Sequence, residues 1–564
     1  MVETSIKQFA GNSKPYIMRA PYTIRPEVAD YFSGDRKLAK DDMQGLIARG
    51  YDSLNASRYI LLQIADADLA KKYYKDLADN YISRADKSNE PELTENRDPK
   101  RAVHLAFTHH GLKQLGLPEA VRATFSRPFI EGMSYPFSDP DNPGNPGDPS
   151  GIISERSTVL GDTGRSAPAN WYWGYGKYYV DCVLLLYAEN RAALDILLHE
   201  VYTGKATGLK LVRECEDFEY DENKLSREHF GFSDGISQPI IKGFSKSKVE
   251  TSEEKLIEPG EFILGYKNEY GHYSPSPYIT NPPPGTGLSL VPEAPEVPEC
   301  KDRYDLGKNG TYLVFRQMEQ HVEEFWRFHY HHSKEDAVSQ TEKAVRLGAK
   351  MIGRWPDGQP LVTCPSGVCG PDTGSLNEFM YYQQDKDGVN CPLGAHIRRT
   401  NPRDQVHTGR NAAESLIMSR RHRMLRRGRI YGVPLVPDMD IEKMICLSKD
   451  KPSPAGAHPP DKKTPIVRGL HFICLVSDIE RQFEFVQNVW ANTSTFADLC
   501  NEVDPIISPR PAENQPDCCH FTTPQKTIRK QYRDVPPFTT VIGGAYFFLP
   551  GLHALYYIIS QQPT

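Results

Sequence analysis

Four segments of the chain share one grammar: a short run rich in β-branched and aromatic residues, a polar break, then a stretch with helix period. They are YILLQIADADLAKKYYKDLADNYI (59–82), YYVDCVLLLYAENRAALDILLHEV (178–201), TYLVFRQMEQHVEEFWRFHYHH (311–332) and LHFICLVSDIERQFEFVQNVW (470–490). In the last, Phe472, Cys474 and Val476 alternate as a strand does, and Ile479, Phe483, Val486 and Val489 then recur at helix spacing. The four are not alike enough in sequence to prove a repeat. Four β–α units in two pairs nevertheless predict an α+β fold of two ferredoxin-like halves, each of the split-βαβ kind.

The connections between these units are turn-rich. FSDPDNPGNPGDPSG (137–151), PSPYITNPPPGTGLSLVPEAPEVPEC (275–300) and PSPAGAHPPDKKTP (452–465) read as surface loops or linkers that lengthen the chain without adding a third core. The near end of the chain has no apolar segment of the secretory type, which predicts a cytoplasmic protein. GGAYFFLPGLHALYYII near the other end is broken by Pro550 and Gly551 and reads as a strand followed by a short helix, not a membrane span. Eleven cysteines then read as mostly reduced thiols. With 67 Lys+Arg against 73 Asp+Glu, the net charge of −6 gives no electrostatic reason to expect nucleic acid or an anionic membrane as partner.

Two segments carry chemistry. HFGFSDGISQP (229–239) sets one carboxylate, Asp234, in a loop punctuated by Gly231, Gly235 and Pro239. Glycines let the backbone come close to a flat ligand, although an Asp-Gly pair by itself is an ordinary turn signal. CPLGAHIRRTNPRD (391–404) sets one histidine, His396, ahead of Arg398, Arg399 and Arg403, and SRRHRMLRRGRIYG (419–432) adds Arg420, Arg421, Arg423, Arg426, Arg427 and Arg429. A basic run is ordinarily a solvated face or a nucleic-acid patch. Here the arginines alternate with Met424, Leu425, Ile430 and Tyr431, so some point inward, and a buried arginine requires an acid or an anionic ligand.

GFSDGISQP resembles the GxxDG signature of the dye-decolorising peroxidases, and CPLGAHIRRTNPRD with HRMLRRGRIYG resembles the proximal-histidine and distal-arginine segments of that family's longer subclass. HLAFTHHGLKQLGL (104–117), NGTYLVFRQMEQHVEEFW (309–326), RGLHFICLVSDIERQFEFVQNVW (468–490) and GGAYFFLPG (543–551) are similar too, in the order the family has them. The resemblance implies ferredoxin-like halves over 1–225 and 226–564 in a dimeric α+β barrel-type arrangement, with haem b in the C-terminal half. It implies His396 as axial ligand to the haem iron, Asp234 as distal acid–base residue, Arg426 as distal arginine with Arg427 as the neighbouring alternative, and Arg403 near a haem propionate.

On this reading the protein is a peroxidase acting on hydrogen peroxide and an organic reductant, with a homo-oligomer among its possible states. A haem-binding or haem-handling protein with incidental peroxidase activity is the alternative, and a nucleic-acid module on residues 398–429 a third reading disfavoured by the charge. Asp478 and Glu484 in the last β–α unit are both candidates for the acid that supports His396. Trp171, Trp173, Trp326, Trp355 and Trp490 are the candidate electron relays, and core packing is the ordinary reading of each. CPSGVC (364–369) invites a zinc or disulfide reading but has no second pair at ligand spacing, and the histidines of FHYHHS (328–333) read as a polar helix end, with a metal site as the alternative.

Overall fold

The computed structural model describes residues 38–561 apart from 89–98, 135–154, 218–226, 245–255, 293–297, 334–338, 368–375, 407–408, 452–467, 511–518 and 526–527. Two of the turn-rich connections, 137–151 and 452–465, lie outside the described residues.

The first half is β1 (Ala56–Ile64), α1 (Ala67–Asn80), β2 (Arg101–Phe107), β3 (Cys182–Ala188), α2 (Arg191–Val201) and β4 (Leu209–Glu216). Its strands run antiparallel in the order β2-β3-β1-β4, which is the ferredoxin-like order. The sequence explains these elements locally. Every residue of β1 is buried, as expected of a strand packed on both faces. Asp66 caps α1 by accepting from Leu69 N at 3.0 Å, and Asn190 caps α2 by accepting from Ala193 N at 2.9 Å. Ile60, Leu62 and Ile64 on one face of β1 then share a core with Tyr73, Tyr74 and Leu77 of α1. Each such aliphatic or aromatic side chain contributes about 1.5–3 kcal/mol on burial.

The second half repeats the plan with long insertions. It comprises β5 (Thr311–Gln320), α3 (Val322–His331), α4 (Gln340–Ile352), α5 (His396–Thr400), the short β6 (Leu425–Arg426) and β7 (Arg429–Gly432), β8 (Arg468–Val476) and β9 (Thr539–Leu549). Its order is β6/β7-β8-β5-β9. A π-wound helix over Glu480–Glu484 and Val486–Asn492 stands between β8 and β9. β9 meets β2 through Phe548 and Phe107, so the halves share one nine-stranded sheet. Among the described residues no ladder joins β4 to the β6/β7 edge. Tyr59, Leu185, Tyr187, Leu313, Phe315 and Ile473 from both halves pack into a common core behind the sheet.

All four β–α units read from the sequence are present, as is the closing strand and helix, β9 followed by α6 (Leu552–Ile559). The connection 275–300 is more structured than a loop reading allows. Tyr278–Thr280 pairs with Arg303–Asp305, because Ile279 is an apolar residue that finds a buried place there. Among the described residues no helix is long and apolar enough to cross a membrane.

Candidate active site

β5 shows where the site begins. Its even-numbered face starts with Tyr312 and Val314 in the first core and continues with Arg316, Met318 and Gln320, which line a cavity of about 250 Å³. Leu470 and Phe472 of β8 extend that wall, and Phe483 and Val486 of the π-wound helix face it. His396 and Arg403 from one segment, and Asp234 and Arg426 from two others, all line this one cavity.

His396 opens α5 and is 26% exposed on the cavity side, while its partner Asp504 is fully buried. The imidazole Nδ1 donates to Asp504 Oδ2 at 3.0 Å. Asp504 is fixed in turn, since its Oδ1 accepts from Ile506 N at 2.8 Å and Ile507 N at 3.0 Å. Burial opposes the Asp504 charge, but His396 and then Arg399 outweigh it and hold the carboxyl below its ordinary value. Burial opposes the His396 charge too, but Asp504 outweighs it and holds the imidazole above its ordinary value. The carboxylate at Nδ1 orients the ring and leaves Nε2 for the cavity.

Asp504 corrects the expectation that Asp478 or Glu484 supports this histidine. Asp478 accepts from Arg481 N at 3.0 Å at the start of its helix. Glu484 accepts from Arg156 Nη1 at 2.6 Å and from Tyr546 Oη at 2.9 Å. Both carboxylates thus satisfy local donors. Asp504 follows that helix in a loop, where an Asp-Pro pair reads only as a turn.

Asp234 sits in a loop whose shape needs glycine. Gly231 has φ +96°, and a Cβ there would come within 2.9 Å of Ile441 and Met444 side chains. The Glu228 carboxylate staples this loop, accepting from Phe230 N and Phe232 N at 2.9 Å each. Asp234 Oδ1 accepts from Gly235 N at 2.6 Å and from Arg426 Nη1 at 3.0 Å. Burial raises the Asp234 pKa, but the Arg426 charge and the Gly235 N–H outweigh it and keep the carboxyl below its ordinary value. The pair remains partly open to the cavity, at 38% and 34% exposure.

Strand alternation separates Arg426 from Arg427. Arg426 pairs with Cys474 across the ladder and reaches Asp234, whereas Arg427 donates to Leu46 O and Ile47 O on the other side. Arg403 lies at the cavity edge with φ +53°, stacks on Phe379 and donates to the carbonyls of Asn377 and Phe379 at 3.1 and 3.0 Å.

The other groups singled out by the sequence stand elsewhere. His329, His331 and His332 bond the carbonyls of Phe325, Lys449 and Phe328, as at a polar helix end. Cys364 is disulfide-bonded, an exception to the reading of reduced thiols, while Cys182, Cys215, Cys391 and Cys474 are buried free thiols. Trp171, Trp173, Trp326 and Trp490 are buried, and Trp355 is half-buried beside the cavity-lining Arg354.

Fold and site together define an α+β protein of two ferredoxin-like halves in which a histidine–carboxylate pair and an arginine–carboxylate pair share one cavity. No model of a known protein family matches the chain. Individual proteins do. Peroxidase 2 of Mycetinis scorodonius is 27% identical over 536 residues, covering 92% of this chain and 87% of its own length. Dye-decolorizing peroxidase AauDyP1 of Auricularia auricula-judae is 23% identical over 529 residues, covering 92% of this chain and 86% of its own. Among solved structures, a fungal DyP-type peroxidase from Auricularia auricula-judae superposes with TM-score 0.67 at 22% identity, over 93% of this chain and 100% of that one. A dye-decolorizing peroxidase in complex with 2,6-dimethoxyphenol gives TM-score 0.66 at 23% identity, over 93% and 99%. The chain is a relative of the dye-decolorising peroxidases along nearly its whole length and has their fold.

Proposed function

We propose that the protein is a haem-dependent peroxidase that reduces hydrogen peroxide to water while oxidising organic, dye-like or phenolic reductants in one-electron steps. The observation that carries this reading is the convergence of His396–Asp504 and Asp234–Arg426 on one cavity. The donor set suits haem b: an imidazole at the cavity, an apolar wall from Leu470, Phe472 and Val486, and arginines at the edge for its carboxylates. Haem bound there would supply the iron at which peroxide reacts and the store for oxidising equivalents until two reductant molecules have each given one electron.

The chain's own residues have separable tasks. Asp504 keeps His396 in the tautomer that presents Nε2 and makes the imidazole more electron-rich. Asp234 starts ionised, takes the proton from the inner oxygen of peroxide and returns it to the outer one, so that water can leave. Arg426 keeps Asp234 ionised and stabilises negative charge developing on the departing oxygen. Overall, one peroxide, two electrons and two protons give two waters.

The haem-carrying domain in this reading is 226–564, with 1–225 as its partner half. A cytoplasmic location and self-association are separate proposals, tested by cell fractionation and by sedimentation of the purified protein. The enzymatic reading is tested with Asp234→Asn, loaded with hemin and mixed rapidly with peroxide. The reaction with peroxide is expected to slow by about 10²–10⁴-fold with hemin still bound. An equal rate would reject the role of Asp234 and favour a haem-handling protein.

A further inference from the structure

The segment 419–432 brings more positive charge to the site than the two pairs described so far neutralise. Arg426 is held by Asp234. Arg420 is held by Glu269 in a bidentate pair, with both contacts at 2.9 Å. Arg316, also in the cavity lining, is buried in an ion pair with Asp162. Arg403 directs its donors to Asn377 and Phe379.

Arg423 differs from all of these. It lines the cavity already described and also a second one of about 460 Å³, and Ser237, Phe379, Asn401 and Arg403 are likewise common to both. Its Nη2 donates to Ser237 O at 3.2 Å, and among the described residues no carboxylate pairs with it. An arginine has five N–H donors in a planar fork, so the larger part of its capacity is unmet. Burial, together with the charges of Arg403, Arg426 and Arg420, pushes its pKa down to about 9. A cation crowded by cations in a partly desolvated place is unfavourable until an anion joins it.

We propose that Arg423 anchors one haem propionate, so that the carboxylate edge of the cofactor faces the junction of the two cavities. The inference rests on the haem reading above. It adds an orientation: the acidic edge of the macrocycle turns toward Arg423, where a guanidinium fork can take a carboxylate bidentately. Arg420 and Arg426 cannot substitute without releasing Glu269 or Asp234.

The experiment measures release of hemin from the full chain to an excess of a haem-scavenging apoprotein, followed by the Soret band. It compares the native chain, Arg423→Met and Arg423→Lys, each loaded either with hemin or with hemin dimethyl ester, whose carboxylates are blocked. Arg423→Met is expected to release hemin about tenfold or more faster than the native chain, with Arg423→Lys between them. On the ester, native and variant chains are expected to release at the same rate. Equal hemin release by native chain and Met variant overturns the assignment. So does an equal acceleration for hemin and ester, which marks a general loss of packing. Should Arg423→Met be too unstable to load, a Lys variant that treats hemin and ester alike overturns it as well. A native chain that takes up neither form rejects the haem reading itself, and this assignment with it.

Discussion

The two halves use the same strand order for different ends. In the first, the connection between β1 and β2 occupies 65–100, and the sheet face under α1 and α2 is filled by Leu184, Leu186, Leu194 and Leu197. In the second, the corresponding connection between β5 and β6 runs over 321–424, and the sheet face opens midway along β5 into a cavity. His396 and Arg403 come from that long connection, Asp504 from the one before β9, and only Arg426 from a strand. The difference teaches that one strand order can carry a filled face in one half and a cavity in the other, with the longer connections supplying most of the site's side chains.

That contrast can be broken at several points. The largest effect on stability belongs to the filled half. Leu184→Ala, at a fully buried position, is expected to cost about 2–5 kcal/mol in urea unfolding while peroxide turnover per folded molecule is kept. A cost near zero would mean that this half is not the tightly packed one. Asp504→Asn comes next. It removes the charged acceptor behind His396 and is expected to lower haem affinity or turnover by about 10–100-fold. An unchanged rate and spectrum would remove Asp504 from the site.

Met318→Ala probes the open half on the same strand face as Val314. Because Met318 is half-buried against the cavity, a loss of under about 1.5 kcal/mol is expected without the ligand. A loss as large as that of Leu184→Ala would show that the cavity wall packs like the core.

Burial of ionisable groups adds a pH dependence. Burial lowers His104 and His329 to about 3, and His229, His321 and His422 to about 4, from an ordinary value of 6.5. Being held neutral, they contribute stability that is complete above 6.5 and lost as pH falls toward those values. Burial raises Glu228, Glu261 and Glu502 to about 7, so these acids favour the folded state more as pH falls from 7 to 4.5. The opposed trends predict a shallow decline in stability down to about pH 4.5 and a steeper one below it. Urea midpoints that stay level down to pH 3.5 would contradict this.

How much of this the sequence discloses depends on whether a feature is local. Strand and helix periods are local, so the four β–α units and the closing strand–helix pair can be read directly. His396, Asp234 and Arg426 are singled out through the resemblance to the dye-decolorising peroxidases, because an Asp-Gly pair, a lone histidine and a basic run are by themselves ordinary turn, structural and surface signals. The identity of the acid behind His396 is not legible, because Asp504 is brought to it across 108 positions by the packing of two connections. Glu228 is likewise hidden: six residues before Asp234, it looks like a surface acid, yet its carboxylate shapes the loop by taking two backbone N–H groups. The choice between Arg426 and Arg427 needed only the strand's phase, which a two-residue strand is too short to reveal by pattern.

That phase has an evolutionary corollary. Since Arg426 serves the cavity and Arg427 the carbonyls of Leu46 and Ile47, consecutive cations are committed to opposite sides of one ribbon. Gaining or losing a single codon in this stretch would exchange their destinations, withdrawing the guanidinium from Asp234 and thrusting another group at it. Length changes here can be tolerated only in twos, whereas the loops on either side are under no such parity.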